Sequence, residues 1–145
     1  MPAEKPSLAL RRRLNAAPAK VFAAWTQPTQ LARWFGPGPT SVVEAEADPR
    51  VGGRFHVVFR TEDGETHDVS GVYREVKRDA KLVFTWRWIS MPERESLVTV
   101  DIRPDGAGSV LTLTHEQFFD EPTRERHRVG WSGSFDKLEL LLADG

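Results

Sequence analysis

The sequence predicts an α+β fold in which a curved antiparallel sheet of about seven strands wraps around one long C-terminal helix. Three patterns in the chain indicate this fold. Apolar and polar residues alternate from residue 40 to residue 117, in short segments that turns separate. One apolar stripe at helical spacing follows near the C-terminus. Two short helical segments, each opened by a proline, come after the first strand.

The first strand is predicted over residues 7–14, where Leu8, Leu10 and Leu14 carry the apolar side. The run Arg11–Arg13 lies within this segment. A run of arginines can form a nucleic-acid patch, but in an alternating strand it is more typical of a solvated sheet edge. We therefore expect no nucleic-acid partner.

Two short helices are predicted next. Pro18 opens the first and Pro28 opens the second, because proline is tolerated in the first turn of a helix. The loop Gly36–Pro39 ends the second helix, since glycine and proline together stop helices. This loop either forms the mouth of a cavity or only terminates the helix, and the sequence does not separate these roles.

Six further strands are predicted, in the segments TSVVEAEAD, RFHVVFR, THDVSGVYREV, KLVFTWRW, ESLVTVDI and SVLTLTHEQ. Because successive side chains of a strand point to opposite faces, Phe55 and Phe59 share one face of their strand, and so do Trp86 and Trp88. Gly71 interrupts its strand and predicts a bulge or a close backbone approach.

The last helix is predicted to begin near Pro122, because proline and acidic residues favour a first helical turn. Its apolar stripe recurs at i, i+4, i+7 and i+11 and consists of Trp131, Phe135, Leu138 and Leu142. Glycine and serine, unusual in a helix interior, surround Trp131 at positions 130, 132, 133 and 134. These small residues either let the helix approach the sheet closely or leave space beside it.

Composition excludes several classes of protein and site. The formal net charge is −1, so no global field attracts nucleic acid or an anionic membrane. The absence of cysteine rules out disulfides, thiolate metal ligands and cysteine nucleophiles. No run of about 18 apolar residues is present, and we expect no membrane insertion. Residues near the N-terminus lack the apolar stretch of a signal peptide, so we expect one cytoplasmic domain over residues 1–145.

Sequence motifs of common enzymes are missing. The segment HEQFF, which begins at His115, is not the H-E-x-x-H of a zinc protease, because the second histidine is absent. The remaining histidines, at 56, 67 and 127, are scattered, and the register that would relate the first two cannot be read from the sequence. Neither G-x-S-x-G nor a phosphate-binding glycine loop occurs. We therefore expect no catalytic residue, no metal and no cofactor.

Seven segments together resemble the bacterial branch of the activator of heat-shock-protein-90 ATPase homolog family, namely AWTQPTQLARWFGP, DPRVGGRFHVVF, GVYREV, LVFTWRW, VTVDI, LTLTHEQF and GWSGSFDKLELLL. The resemblance covers residues 8–142. That family belongs to the START-like (SRPBCC) superfamily, so the resemblance implies a helix-grip fold with a deep hydrophobic cavity between the sheet and the C-terminal helix. Superfamily relatives use this cavity for lipids, sterols, polyketides and aromatic compounds.

The aromatic residues have two interpretations, a filled core or the wall of that cavity. If they form a wall, the expected ligand-binding residues are Phe55, Phe59, Trp86, Trp88, Leu113, His115, Trp131 and Phe135. His115 either binds a ligand oxygen or is a buried histidine hydrogen-bonded to backbone or to a helix residue such as Ser132.

Three functions remain open from the sequence. The first is binding of a hydrophobic or aromatic small molecule, lipid-, sterol- or polyketide-like, in the cavity. The second is a co-chaperone-like interaction domain that stimulates a heat-shock-protein ATPase. The third is a cyclase- or hydrolase-type enzyme that uses the same cavity with His115 as acid or base. The expected partners are thus a hydrophobic small molecule or a chaperone, and the expected oligomeric state is a monomer or a weak dimer.

Overall fold

The computed structural model describes residues 5–143. Its strands and helices follow the predicted order, and their bounds are β1 Leu8–Leu14, α1 Pro18–Thr26, α2 Pro28–Trp34, β2 Thr40–Ala47, β3 Arg54–Thr61, β4 Thr66–Lys77, β5 Lys81–Trp88, β6 Ser96–Asp105, β7 Gly108–Glu116 and α3 Glu121–Ala143. Within these residues, no helix has the combination of length and apolarity that crossing a bilayer requires.

The seven strands form one antiparallel sheet in the order β1-β7-β6-β5-β4-β3-β2. Strands β2 to β7 form a meander of neighbours in sequence, whereas β1 pairs with β7, with Leu10 opposite Leu113. The sheet curls into a half-barrel that grips α3, which confirms the predicted fold class. Its inner face is apolar because alternate residues, such as Phe55 and Phe59, are buried against the helices.

Helices α1 and α2 meet at one residue, Gln27. Its backbone is extended (φ −98°, ψ 124°), and it ends α1 while it begins α2. The extended shape follows from Pro28, because proline disfavours helical backbone in the residue before it. The indole N–H of Trp34 donates to the carbonyl of Ala24 over 2.9 Å, and this buried bond holds α2 against α1.

Helix α3 begins at Glu121, one residue before Pro122, near which its start was predicted. The Asp120 carboxylate caps the helix by accepting a hydrogen bond from the backbone N–H of Thr123 over 2.9 Å. Hydrogen bonds from Thr123 lower the pKa of Asp120 below its ordinary value. The cap fixes where the pocket-facing part of α3 starts.

The interpretation of Arg11–Arg13 as a solvated edge is wrong for its middle residue, Arg12. Alternation places Arg12 on the same side of β1 as Leu10 and Leu14, which is the side that faces α3. Its guanidinium lies 2.9 Å from the carboxylate of Asp136 on α3. Only Arg11 and Arg13 of the run are exposed.

The predicted close approach at Gly71 is confirmed. A Cβ atom at this residue would overlap the carbonyl oxygen of Thr85 on β5. The next residue, Val72, donates its N–H to the Thr85 hydroxyl over 2.8 Å, and the β4–β5 register shifts shortly after it, between Tyr73 and Glu75. The bulge bends β4 and increases the curl of the sheet around α3.

Aromatic rings from the sheet and all three helices meet in the core. Trp25 on α1 lies 4.7 Å from Trp34 on α2 and 5.7 Å from Trp131 on α3, measured between ring centroids. Trp131 in turn lies 5.0 Å from Trp86 on β5. Tilted and edge-to-face pairs of this kind add about 0.5–1.5 kcal/mol each beyond the burial of their area.

Candidate functional site

A pocket of about 420 Å³ lies between α3 and the inner face of β3, β4 and β5. The loop after α2 and the loop after β5 complete its wall. Its lining residues are Phe35, Gly36, Pro37, Phe59, Thr61, His67, Trp86, Trp88, Ser90, Met91, Thr123, Arg126, His127, Gly130, Trp131 and Ser134. The loop Gly36–Pro39 thus does more than end α2, since Gly36 and Pro37 also contribute to the pocket wall.

The two glycines of α3 have different surroundings. A Cβ atom at Gly130 would meet no other atom within 4 Å, and this residue lines the pocket. A Cβ atom at Gly133 would lie 3.3 Å from the backbone nitrogen of Gly38. Gly133 therefore lets the helix approach the loop after α2, whereas Gly130 leaves open space beside the helix.

The eight predicted ligand-binding residues fall into two layers. The first layer lines the pocket and consists of Phe59, Trp86, Trp88 and Trp131. The second layer is buried in the core, outside the pocket lining, and consists of Phe55, Leu113, His115 and Phe135. Phe55 stacks on Trp86 at 5.9 Å, and Phe135 lies 5.8 Å from Trp131. The second layer thus supports the first, and the ligand-binding role of these residues stays a prediction.

His115 is fully buried and hydrogen-bonded at both ring nitrogens. The indole N–H of Trp131 donates to its Nδ1 over 3.0 Å, and its Nε2 lies 2.7 Å from the hydroxyl of Ser96. An indole N–H only donates, so Nδ1 must accept and Nε2 must carry the proton. Burial, together with the nearby ring of His127, lowers the pKa of His115 well below its ordinary value. The imidazole is therefore neutral at pH 7, and its partner on α3 is Trp131 rather than Ser132.

His127 on α3 is also hydrogen-bonded at both ring nitrogens, and its indole donor lies on the sheet. The indole N–H of Trp88 donates to Nε2 of His127 over 2.9 Å. Nδ1 of His127 must then carry the proton, and it donates to the backbone carbonyl of Thr123 over 2.8 Å. Burial lowers the pKa of His127 as well. Two indoles thus fix two neutral histidines, whose ring centroids lie 5.1 Å apart.

These bonds occupy two of the three indole N–H groups of the tryptophans that line the pocket. Trp88 and Trp131 donate to histidines, and neither N–H remains free for a ligand. The third, on Trp86, is buried and has no hydrogen-bond partner among residues 5–143. The pocket wall is therefore mostly apolar.

Sequence reasoning missed several lining residues. His127 lies four residues before Trp131, so extending the apolar stripe of α3 by one turn would have found it. His67 pairs with Phe59 across β3 and β4, and their rings stack at 5.2 Å on the inner face. His56 lies on the outer face, so the two histidines of neighbouring strands do not meet. Arg126 carried no signal, because the first turns of α3 are polar all round.

On the outer face, His56 bonds to Asp68 over 2.8 Å and lies 3.7 Å from Glu46. A β-bulge after Val42 turns Glu44 toward the same group, and ligand atoms of Glu44, Glu46 and His56 lie within 4.8 Å of one another. Both glutamates are exposed. Exposed acidic groups are common on protein surfaces, so this cluster does not by itself identify a metal site.

The fold and sequence are similar to those of several solved bacterial proteins. A Silicibacter pomeroyi AHSA1 protein is 30% identical, with 95% of this chain and 98% of that one covered, at a TM-score of 0.85. A Chromobacterium violaceum protein is 28% identical, with 94% and 96% covered, at a TM-score of 0.85. A Nitrosomonas europaea protein is 26% identical, with 95% and 94% covered, at a TM-score of 0.81. No curated protein matches the chain.

The match at the family level covers nearly all the described residues. The family described as "Activator of Hsp90 ATPase homolog 1-like protein" matches residues 15–143, from the end of β1 to the last residue of α3. This match, together with the helix-grip architecture of the solved neighbours, establishes the family of the chain. The chain belongs to the family of Activator of Hsp90 ATPase homolog 1-like proteins, within the START-like superfamily.

Proposed function

We propose that the protein binds a hydrophobic or aromatic small molecule in the pocket between the sheet and α3. The observation that carries the proposal is a pocket of about 420 Å³ walled by rings from β3, β5, α3 and the loop after α2. Small-molecule sites in proteins span about 300–1,000 Å³ and are lined mainly by apolar and aromatic side chains. The pocket has both properties.

The ring arrangement favours an aromatic ligand over a flexible chain. Trp86 and Trp88 meet nearly at right angles, at 88°, and Trp86 is tilted by 47° to Trp131. A flat ring bound here would meet faces and edges of indoles, which adds to the free energy of about 25 cal/mol per Å² from burying apolar area. Lipid-, sterol- and polyketide-like molecules share the apolar surface but differ in how many rings they present.

An enzymatic role with His115 as acid or base has less support. His115 lies outside the pocket lining, and both of its ring nitrogens are bonded within the protein. A general acid or base must reach the proton that it transfers. His127 does line the pocket, but its nitrogens are also bonded, to Trp88 and to Thr123.

A tryptophan-fluorescence titration against fatty acids, sterols, flavonoids and other aromatics tests the proposal. We expect saturable quenching by aromatic compounds. Gly130→Leu should abolish it, because the new side chain would occupy the open space at this residue. The control is Val129→Leu, at an exposed position outside the lining.

Two results would count against ligand binding in this pocket. One is equal affinity in the wild type and in Gly130→Leu. The other is a flat response of the wild type to the whole panel, which would favour a filled aromatic core. In the second case, stimulation of a heat-shock-protein ATPase would be the next activity to measure.

A further inference from the structure

The permanent charge of the pocket lining is positive only. Its lining residues include no aspartate and no glutamate. Arg126 is the one permanently charged side chain among them. The pocket therefore combines an aromatic wall with a single arginine on the helix side, and that arginine is exposed.

Arg126 differs from its neighbours on α3 in its ion pairs. The guanidinium of Arg124 lies 3.4 Å from the Glu121 carboxylate, and that of Arg128 lies 2.8 Å from Glu125. Within residues 5–143, no carboxylate lies within 4.0 Å of Arg126. Its guanidinium donates to the Thr123 hydroxyl over 3.2 Å, which leaves most of its five N–H donors available.

One acid that responds to the charge of Arg126, Asp120, already has other partners. The positive charges of Arg126 and Arg94 contribute to the lowered pKa of Asp120, but hydrogen bonds from Thr123 contribute more. Asp120 lies outside the pocket lining and caps α3. It therefore weakens the field of Arg126 without occupying the guanidinium.

Most deeper polar groups of the wall are bonded within the protein. The exception is the Trp86 N–H, which has no partner among residues 5–143 but is itself buried. The Trp88 and Trp131 N–H groups bind histidines, and the Ser134 hydroxyl donates to the carbonyl of Gly130 over 3.0 Å. An anionic group placed among the rings would lose its hydration, and the buried Trp86 N–H is the one indole donor left unpartnered there, so this placement is costly. The same group beside Arg126 would gain a charge-assisted and often bidentate hydrogen bond.

We infer that the ligand is an aromatic anion, with its rings in the pocket and a carboxylate or sulfonate against Arg126. This inference rests on the proposed function and adds the charge and orientation of the ligand. Arg126 would select acids over neutral molecules with the same ring system. The rings would supply affinity that is independent of salt.

Two fluorescent probes with one ring system test this inference, namely the anion anilinonaphthalene sulfonate and the neutral N-phenylnaphthylamine. Arg126→Gln should weaken binding of the sulfonate by about tenfold or more, because a hydrogen bond to a charged group is lost. Binding of the neutral probe should stay within about twofold, because that probe carries no charged group for the guanidinium to bind. Arg126→Lys should restore part of the sulfonate affinity.

The matched control is Arg128→Gln, which removes the same charge two residues away, from an arginine outside the lining. It should leave both probes within about twofold of the wild type. If Arg126→Gln and Arg128→Gln weaken the sulfonate equally, or if Arg126→Gln weakens both probes alike, the inference is wrong while the proposed function stands. If neither probe binds the wild type in a way that Gly130→Leu blocks, the proposed function fails, and this inference with it.

Discussion

The indole of Trp131 donates its N–H to Nδ1 of His115 over 3.0 Å, and this bond joins α3 to β7 inside the core. A second bond of the same kind runs in the opposite direction, from Trp88 on β5 to His127 on α3. In the first the helix donates to a histidine of the sheet, and in the second the sheet donates to a histidine of the helix. The helix is thus fixed to the sheet by two neutral polar bonds as well as by apolar packing.

Replacing His115 with alanine should lower the free energy of unfolding by about 2–4 kcal/mol, because it opens a cavity and leaves the Trp131 N–H buried without an acceptor. Urea denaturation measures this loss. The control is His56→Ala on the outer face of the sheet, where the pairs with Asp68 and Glu46 are partly solvated and contribute about 0–1 kcal/mol. Similar losses for both variants would contradict the structural role of His115.

The free energy of unfolding should decrease as the pH is lowered through the range where free histidine becomes protonated. The pKa values of His115 and His127 are lowered by burial, so the unfolded chain binds protons more readily than the folded one. Their contribution is complete above the ordinary histidine value of 6.5 and is lost as the pH falls below it toward the folded values. Each proton changes the free energy of unfolding by about 1.4 kcal/mol per pH unit.

Urea unfolding between about pH 5 and pH 8 tests this prediction. The carboxylates with lowered pKa values, on Asp63, Asp120 and Glu125, lose their contributions only at more acidic pH. The slope of the free energy of unfolding against pH reports the number of protons taken up on unfolding. His127→Gln should lower that number by about one. A wild-type stability that is the same at both ends of this range would show that the two histidines are not held neutral by the fold.

Alanine substitutions at the two glycines of α3 should have different effects. Gly130→Ala should raise the free energy of unfolding by about 0.5–1 kcal/mol, because alanine favours the helix and its methyl group enters open space. Gly133→Ala should gain less or lose stability, because its Cβ would press on the backbone nitrogen of Gly38. Thermal unfolding of both variants measures the difference, and an equal gain at both positions would contradict the assigned packing of Gly133.

Substitution of Gly71 should be far more damaging than substitution of a turn glycine. Gly71→Ala would force the Thr85 backbone out of the sheet, and we expect a loss of more than about 3 kcal/mol or no folded protein. Gly106→Ala is the control, since a Cβ there meets nothing within 4 Å and its positive φ of 60° costs only about 1–2 kcal/mol. Soluble yield and urea midpoint distinguish the two. Equal losses would mean that the close approach at Gly71 can relax.

The strands could be predicted from sequence because most of them bury alternate residues on one face of the sheet. Alternation correctly placed Leu111, Leu113 and His115 on the inner face of β7, where all three are fully buried. It could not distinguish the pocket wall from the core behind it. On β5, Phe84 and Trp88 share that face, yet Phe84 lies in the core and Trp88 at the pocket, because they are four positions apart along the strand.

The polar part of the site was less predictable, since it depends on distances between elements rather than on periodicity. Inward placement of His115 followed from the sequence, but the bond to Trp131 required the position of α3 relative to β7. Arg126 becomes distinctive only when the ion pairs of Arg124 and Arg128 are seen beside it. Those pairs depend on side-chain conformations that spacing alone does not determine.

Two layers of rings bear on how such a domain diversifies during evolution. Phe55, His115 and Phe135 hold the helix and sheet together from behind, while Trp86 and Trp131 present their surfaces to the pocket. Met91 and Arg126 line the pocket without belonging to either layer. Substitutions at these two positions can therefore change the surface of the pocket while the second layer keeps the architecture intact.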